Sequence, residues 1–244
     1  MAHSPTFDTD ENRILMVVCA RKTIRNIGLG GVIWGLINIG VGVVVLSDTW
    51  LNLGLVLLGL IMLGAGVVAM RRPALHALLT EAIVSLLLLA WNIGITILNV
   101  RAGDTSHING HGFIGPIVAA VIFFQQYARL RPLGDAIQSL DPQALAGLLA
   151  TCQELLKRKI KDDPDIVDCN NRSCRIRRTG DSVFCVQRNL QRAFTLPLAE
   201  FRQSFKNLEK KRLQLVLAHP LGKLAYGFDK ASSLKIKAWL GGAA

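Results

Sequence analysis

The chain has 244 residues, of which 51% are hydrophobic, and a formal net charge of +11. Its length is enough for two domains, and residues 135–244 hold nineteen Lys or Arg against eleven Asp or Glu. This positive balance favours an anionic partner, either lipid headgroups or an acidic protein. Nucleic acid is unlikely as a partner, because aromatic side chains are not interleaved with the basic ones in a stacking pattern.

Four long stretches between Arg25 and Arg129 contain no Asp, Glu, Lys or Arg. They are residues 26–47, 49–70, 82–100 and 112–128. About 20 helical residues with a rise of 1.5 Å each cross the hydrocarbon core of a bilayer. The sequence therefore predicts an α-helical four-span membrane bundle of two helical hairpins over residues 26–131.

The short segments around these stretches alternate in charge. Four Lys or Arg precede the first stretch, none lies in the link after it, and two follow the second. One lies in the link after the third stretch and two follow the fourth. Because Lys and Arg collect on the cytoplasmic side, both termini are expected in the cytoplasm, in the plasma (inner) membrane of a bacterium. Residues 1–25 are then an N-terminal cytoplasmic segment with a short helix on the inner membrane surface.

Small residues and a weak repeat mark the first hairpin. Gly31 and Gly35 have the small-xxx-small spacing that lets helices approach closely, which serves either packing within the bundle or a homo-oligomer. Trp34 is followed by Asn-Ile-Gly at positions 38–40, and Trp91 by the same tripeptide at positions 92–94. The two hairpins are therefore either parallel repeats or alike by coincidence.

Few polar residues lie within the four stretches. Asn38 and Asn92 are the strongest, and we expect their amides to face the bundle interior. They serve either as structural hydrogen-bonding groups or as part of a substrate or ion path. Glu81 lies near the inner end of the third stretch, where a surface ion pair with His76 or Arg72 is expected rather than a proton relay.

The hydrophobic pattern of the sequence changes after the fourth stretch. Residues 132–163 predict a helical linker with one apolar stripe, and the hydrophobic period becomes two from residue 164. Residues 164–244 therefore predict a small cytoplasmic α+β domain. It should hold about six strands in an antiparallel, barrel-like meander and a C-terminal helix with Leu234 and Trp239 facing inward.

A bent meander followed by a C-terminal helix resembles the bacterial pleckstrin-homology-like domains that are fused to membrane spans. The residues that carry this likeness are 192–201, 213–218 and 231–240, and it extends over residues 164–240. The resemblance implies a small module that binds lipid or protein, typically without catalysis. A plain α+β domain of another topology is the alternative.

Six arginines against one acid, Asp181, stand out between positions 172 and 192. They are Arg172, Arg175, Arg177, Arg178, Arg188 and Arg192. Each cation held near an anionic leaflet contributes about 1 kcal/mol. The sequence therefore predicts a lipid-binding or partner-binding surface, or else a solvated positive face that aids solubility.

Residue types that support catalysis are not clustered. Cys169, Cys174 and Cys185 lack CxxC spacing and a nearby histidine, so no metal site is expected. We expect no cofactor, because the sequence shows no nucleophile–base pair, phosphate loop or carboxylate dyad. The sequence favours a non-enzymatic membrane protein whose basic module senses, scaffolds or regulates at the inner membrane surface. The alternative is a small oligomeric transporter or channel built from the two hairpins.

Overall fold

The computed structural model describes residues 7, 9–44, 49–103, 111–139, 142–158, 163–170, 173–208, 212–220 and 222–241. The chain divides into two compact units. The soluble unit takes in Met1–Ala20 and Ser139–Ala244, and the four-helix unit takes in Arg21–Gln138. Each unit is described by itself.

Four long helices contain the four uncharged stretches that the sequence singles out. They are α1 (Asp10–Val44), α2 (Thr49–Arg71), α3 (Leu75–Arg101) and α4 (His111–Leu130). A 3₁₀ turn at Arg131–Leu133 and the short helix α5 (Gly134–Ser139) follow. Each long helix has the length and apolar composition needed to cross a membrane, as the sequence predicts.

The outer faces of these helices are apolar. Among the described residues, every exposed large hydrophobic side chain except Leu234 lies on α1, α2, α3 or α4. A helix of a soluble bundle would carry polar residues on that face, whereas a helix that is apolar all round is typical of a protein interior or a membrane. The exposed faces therefore favour a lipid surrounding.

Glycines allow α1 and α2 to approach each other closely. A Cβ atom at Gly35 would lie 2.7 Å from the carbonyl oxygen of Gly59, and one at Gly66 would lie 2.6 Å from that of Gly28. Real Cβ atoms do not come so close, so the two backbones touch where these side chains are missing. Gly35 thus has the packing role that its spacing predicts, within the chain.

The soluble unit contains seven described strands in two antiparallel meanders. The first sheet consists of β1 (Ile166–Asp168), β2 (Cys174–Thr179), β3 (Ser182–Gln187) and β4 (Ala193–Pro197). The second consists of β5 (Phe205–Leu208), β6 (Arg212–His219) and β7 (Gly222–Gly227). The helices are α6 (Pro142–Lys157), α7 (Leu198–Gln203) between the sheets in sequence, and α8 (Lys230–Trp239).

A main hydrophobic core joins the two sheets. Ile176 and Phe194 of the first sheet share it with Leu215 of the second, and Ile236 and Trp239 of α8 pack into it. The alternation of buried and partly exposed residues along β2 reflects the period of two that identified the strand from sequence. The small antiparallel sheet domain with a terminal helix agrees with the expectation in outline.

A second core covers the other face of the first sheet. Leu15 and Cys19 of α1 meet Cys152 and Leu155 of α6 over Ile166 of β1. The expectation of an interfacial helix before residue 25 is therefore wrong for its first part, because Leu15 and Cys19 form an apolar stripe at a spacing of four that a sheet face buries. Helix α6 is likewise part of the soluble unit rather than a separate linker.

The start of α1 also binds the edge of the first sheet. The side-chain amide of Asn12 donates to the carbonyl oxygen of Thr195 at 2.8 Å and accepts from its N–H at 2.7 Å. Because β4 is an edge strand, its backbone groups would otherwise lack a strand partner. Phe7 adds an edge-to-face contact with Phe194 at 5.5 Å between ring centroids.

We predict that Asn12→Ala speeds hydrogen exchange at the Thr195 amide. The substitution removes both bonds of a side chain that is 1% exposed, and leaving buried backbone groups unpaired costs about 1–3 kcal/mol. The measurement is hydrogen–deuterium exchange of the full-length protein, read on peptides that contain β4. Asn26→Ala is the control, because Asn26 lies exposed on the same helix. Equal protection of β4 in the two variants would contradict the role given to Asn12.

Candidate functional site

The arginines predicted to form one surface lie at both ends of the first sheet. Arg178 is opposite Val183, next to the β2–β3 turn, whereas Arg188 directly follows β3 at its other end. The strand length between these positions is roughly 17 Å at about 3.3 Å per residue. Arg172 lies outside the described residues, so the structure does not place it.

Arg175 has a structural role that the sequence analysis did not foresee. Its Nε and Nη2 donate to the two carboxylate oxygens of Asp168, the residue opposite on β1, at 2.7 and 3.2 Å. Its Nη1 donates to the carbonyl oxygens of Leu155, Leu156 and Arg158 at 2.9, 2.9 and 2.7 Å. A guanidinium thereby caps the C-terminal end of α6. Only 12% of the side chain is exposed, so we exclude Arg175 from the candidate surface.

The remaining arginines differ in their surroundings. Arg188 is exposed, and half-buried Arg177 forms no side-chain hydrogen bond or ion pair within the described part of the chain. Arg178 donates from Nε to the carbonyl oxygen of Gly180 at 3.3 Å. Burial raises the pKa of Tyr226, and the nearby charge of Arg192 opposes part of this rise by stabilising the phenolate. Arg177, Arg178 and Arg188 are therefore the cations most available to a partner.

Helix α8 buries a different face from the one expected. Leu234 is 55% exposed, so the expectation that it faces inward is wrong. Ser233 and Ile236 are fully buried instead, and the Ser233 hydroxyl accepts from the N–H of Leu213 at 3.1 Å. Exposed Lys230 lies one turn before Leu234. Because polar Ser233 lies on the buried stripe of α8, the apolar residues alone indicated a different face of the helix from the one that is buried.

The cysteines of the first sheet lie together in the main core. The N–H of Cys174 donates to Sγ of Cys169 at 2.7 Å, and Oγ of Ser173 lies 3.2 Å from that sulfur. Hydrogen bonding from the Cys174 thiol lowers the pKa of Cys169 to about 7, although burial opposes this shift. The pKa values of Cys174 and Cys185 are raised well above the usual range, that of Cys174 chiefly by its hydrogen bond with Cys169 and that of Cys185 by burial. No group of three metal-binding side chains occurs among the described residues.

The intramembrane asparagines do not line the cavity that the four-helix unit shows. Asn38 donates to the carbonyl oxygen of Trp34, one turn earlier on its own helix, at 2.8 Å. Asn92 is half-buried on α3. A cavity of about 510 Å³ lies between α2 and α3, and its lining is apolar, with Gly54, Leu87 and Trp91 among the lining residues.

Two tryptophans make reciprocal contacts between the hairpins. Trp34 of α1 lies against Gly115 of α4, and Trp91 of α3 lies against Gly54 of α2. Each tryptophan is ten residues before the end of its helix, and each glycine is four or five residues after the start of its helix. Two parallel hairpins related by a pseudo-two-fold axis would make this pair of contacts, so it supports the repeat.

Glu81 and Gly31 form an unexpected pair. Glu81 is fully buried, and neither carboxylate oxygen has a hydrogen-bond partner within the described ranges of the chain. The surface ion pair expected with His76 or Arg72 is therefore wrong. The carboxyl group lies directly against Gly31 of α1, so Gly31 accommodates a side chain of α3 rather than the backbone of α2.

Comparison with known protein families, with curated proteins and with solved structures finds no match to this chain. The resemblance to pleckstrin-homology-like domains therefore depends on element order alone.

We predict that Arg175→Gln destabilises the soluble unit by about 3–5 kcal/mol, because it leaves the mostly buried Asp168 unpaired. The free energy of unfolding would be measured by denaturant titration of the full-length protein, with β2 followed by hydrogen exchange. Arg177→Gln is the matched control on the same face of the same strand, and it should change stability by less than about 0.5 kcal/mol. Similar losses in both variants would contradict the role of Arg175.

We predict that Cys169 is the first cysteine of the soluble unit to react with iodoacetamide near neutral pH. The thiolate is the reactive form, so its fraction should rise about tenfold from about pH 6 to about pH 8 for a pKa of about 7. Cys152 is the internal control, because burial raises its pKa to about 11. Mass spectrometry of the labelled native protein gives the rates. Equal reactivity of the two cysteines would contradict the assignment.

Proposed function

We propose that this chain is an integral membrane protein without enzymatic activity whose basic soluble unit binds the anionic inner surface of the membrane. The unit acts there as a sensor, a scaffold or a regulatory module. The exposed apolar faces of α1, α2, α3 and α4 support the membrane part of this proposal. The excess of Lys and Arg over Asp and Glu in residues 135–244 supports the anionic partner.

The observation that carries the proposal is the availability of Arg177, Arg178 and Arg188. Arg177 and Arg188 have no ion pair within the described residues, and Arg178 donates to the neutral carbonyl group of Gly180. Guanidinium groups without a carboxylate partner remain free to bind phosphate groups. Arg177 and Arg178 lie on β2, and Arg188 directly follows β3, so the two paired strands set the spacing between them.

The order of elements favours a pleckstrin-homology-like module over another α+β topology. Two successive meanders are followed by a terminal helix that packs into their shared core. One feature departs from a plain meander, because α1 and α6 cover one face of the first sheet. The cations we propose for binding therefore lie near the ends of that sheet: Arg178 is beside the β2–β3 turn, Arg188 directly follows β3, and half-buried Arg177 is on the covered face opposite Ile166.

A small transporter or channel is the second candidate function. The fully buried carboxyl group of Glu81 favours it, since ionisable residues inside a membrane bundle commonly belong to ion or proton paths.

We predict that the soluble unit approaches anionic lipid more closely than neutral lipid. The full-length protein would carry a fluorophore on Thr179→Cys, a position exposed at the end of β2. Labelling uses a Cys169→Ser background, because Cys169 is the native thiol expected to react first and the other native cysteines are all buried. Energy transfer to headgroup-labelled lipid in proteoliposomes should be stronger with anionic than with neutral vesicles. It should weaken in about 1 M salt, where the screening length falls to about 3 Å.

Charge-reversal variants test which cations of the soluble unit contact the membrane. Changing Arg177, Arg178 and Arg188 to Glu should abolish the difference between the two vesicle types, because the contacting cations become anions. Changing Lys157, Lys223 and Lys230 to Glu makes the same change in net charge at other exposed positions and should leave the difference in place. Equal transfer in neutral and anionic vesicles for the parent protein would contradict lipid binding and favour an acidic protein partner.

A further inference from the structure

Glu81 is a buried acid whose carboxyl group has no hydrogen-bond partner among the residues that the structure describes. It lies on the buried face of α3 with Leu78, Ala82 and Ser85. The hydroxyl group of Ser85 on that face does not bind the carboxyl group of Glu81, because it donates to the backbone carbonyl oxygen of Glu81 at 2.8 Å. Neither carboxylate oxygen accepts a hydrogen bond from any residue that the structure describes.

The contact between α1 and α3 is shaped around this carboxyl group. A Cβ atom at Gly31 would overlap both oxygens and Cδ of Glu81, whereas one at the preceding Gly30 would meet nothing within 4 Å. The acid therefore occupies the space of the missing side chain on α1. Only glycine at position 31 leaves room for it.

Positive charges on the packed helices do not neutralise Glu81. Titratable side chains at this end of the four helices include Lys22, Arg25, Arg71, Arg72, His76, Tyr127, Arg129 and Arg131. None of them donates a hydrogen bond to either Glu81 oxygen, and Arg25, Arg71 and His76 are exposed. An ionised carboxylate in this place would cost several kcal/mol without compensation. The site therefore needs a positive ligand of its own.

A proton fits the site better than a metal ion. Hard cations such as Ca²⁺ and Mg²⁺ take six or more oxygen ligands, and no group of three His, Cys, Asp or Glu side chains that could hold a metal ion occurs in the described part of the chain. A proton needs only one oxygen of the carboxyl group and leaves a neutral acid that tolerates apolar surroundings.

We propose that Glu81 is a proton-binding site of the four-helix unit, held as a neutral acid against Gly31 and able to exchange its proton only when α1 and α3 separate there. This inference rests on the part of the proposed function that puts the four helices in a membrane. It assigns the unit a protonated and a deprotonated state that differ in the α1–α3 contact.

The test is infrared spectroscopy of the full-length protein in proteoliposomes. A protonated carboxylic acid has a C=O stretching band that a carboxylate lacks. At about pH 7 the parent protein should show this band, and Glu81→Gln should lose it. Glu154→Gln is the matched control, because the side chain of Glu154 is 67% exposed on α6, and it should keep the band. Absence of the band from the parent protein at that pH would overturn the proposal.

A second pair of variants tests the site without removing the acid. Gly31→Ala should displace the carboxyl group and shift or abolish its band, whereas Gly30→Ala should leave the band unchanged. Equal spectra for these two variants would overturn the proposed site. A band in the parent protein that disappears when Na⁺ or K⁺ is added would also overturn it, in favour of a metal cation. Because the readout does not depend on headgroup charge, its result is independent of the lipid-binding test.

Discussion

The soluble unit depends on the guanidinium group of Arg175, which joins β1, β2 and the end of α6 through five hydrogen bonds. A bidentate pair with Asp168 fixes the guanidinium plane, and the remaining nitrogen collects carbonyl groups that the helix end leaves unpaired. This arrangement holds α6 over the first sheet. It also engages one of the six arginines within the soluble unit, and α6 with the start of α1 covers one face of the first sheet.

The sequence predicted the features that many consecutive residues specify together. The four helices were predicted from long uncharged stretches, and β2 and β3 were predicted from a hydrophobic period of two. In the structure this period appears along β2 as alternating burial. Contacts that depend on strand register or on packing between elements were not predicted. Asp168 and Arg175 are seven residues apart, but only the strand register places them opposite each other. One signal was available for Glu81, because it lies between Leu78 and Ser85 on the buried stripe of α3. Its charge suggested a surface position, whereas helical spacing indicated the interior.

Closely spaced glycines on α1 serve different purposes. Gly35 meets a backbone carbonyl of α2, whereas Gly31 makes room for the carboxyl group of Glu81. The contact between Gly31 and Glu81 has no equivalent in the other half of the repeat. Trp34 and Trp91 are 57 residues apart, and the same offset from Glu81 leads to Ile24. The buried acid thus belongs to one hairpin alone, and its proposed role is not shared by the repeat.

The bonds between Asn12 and Thr195 join residues that are 183 positions apart in the chain. Ribosomes add about 5–20 residues per second, so roughly ten to forty seconds separate the synthesis of these two partners. During that interval all four apolar helices are made, while Phe7 and Leu15 still lack the strands that bury them. These residues are thus synthesised well before the strands that bury them, and their packing is completed only once β4 exists.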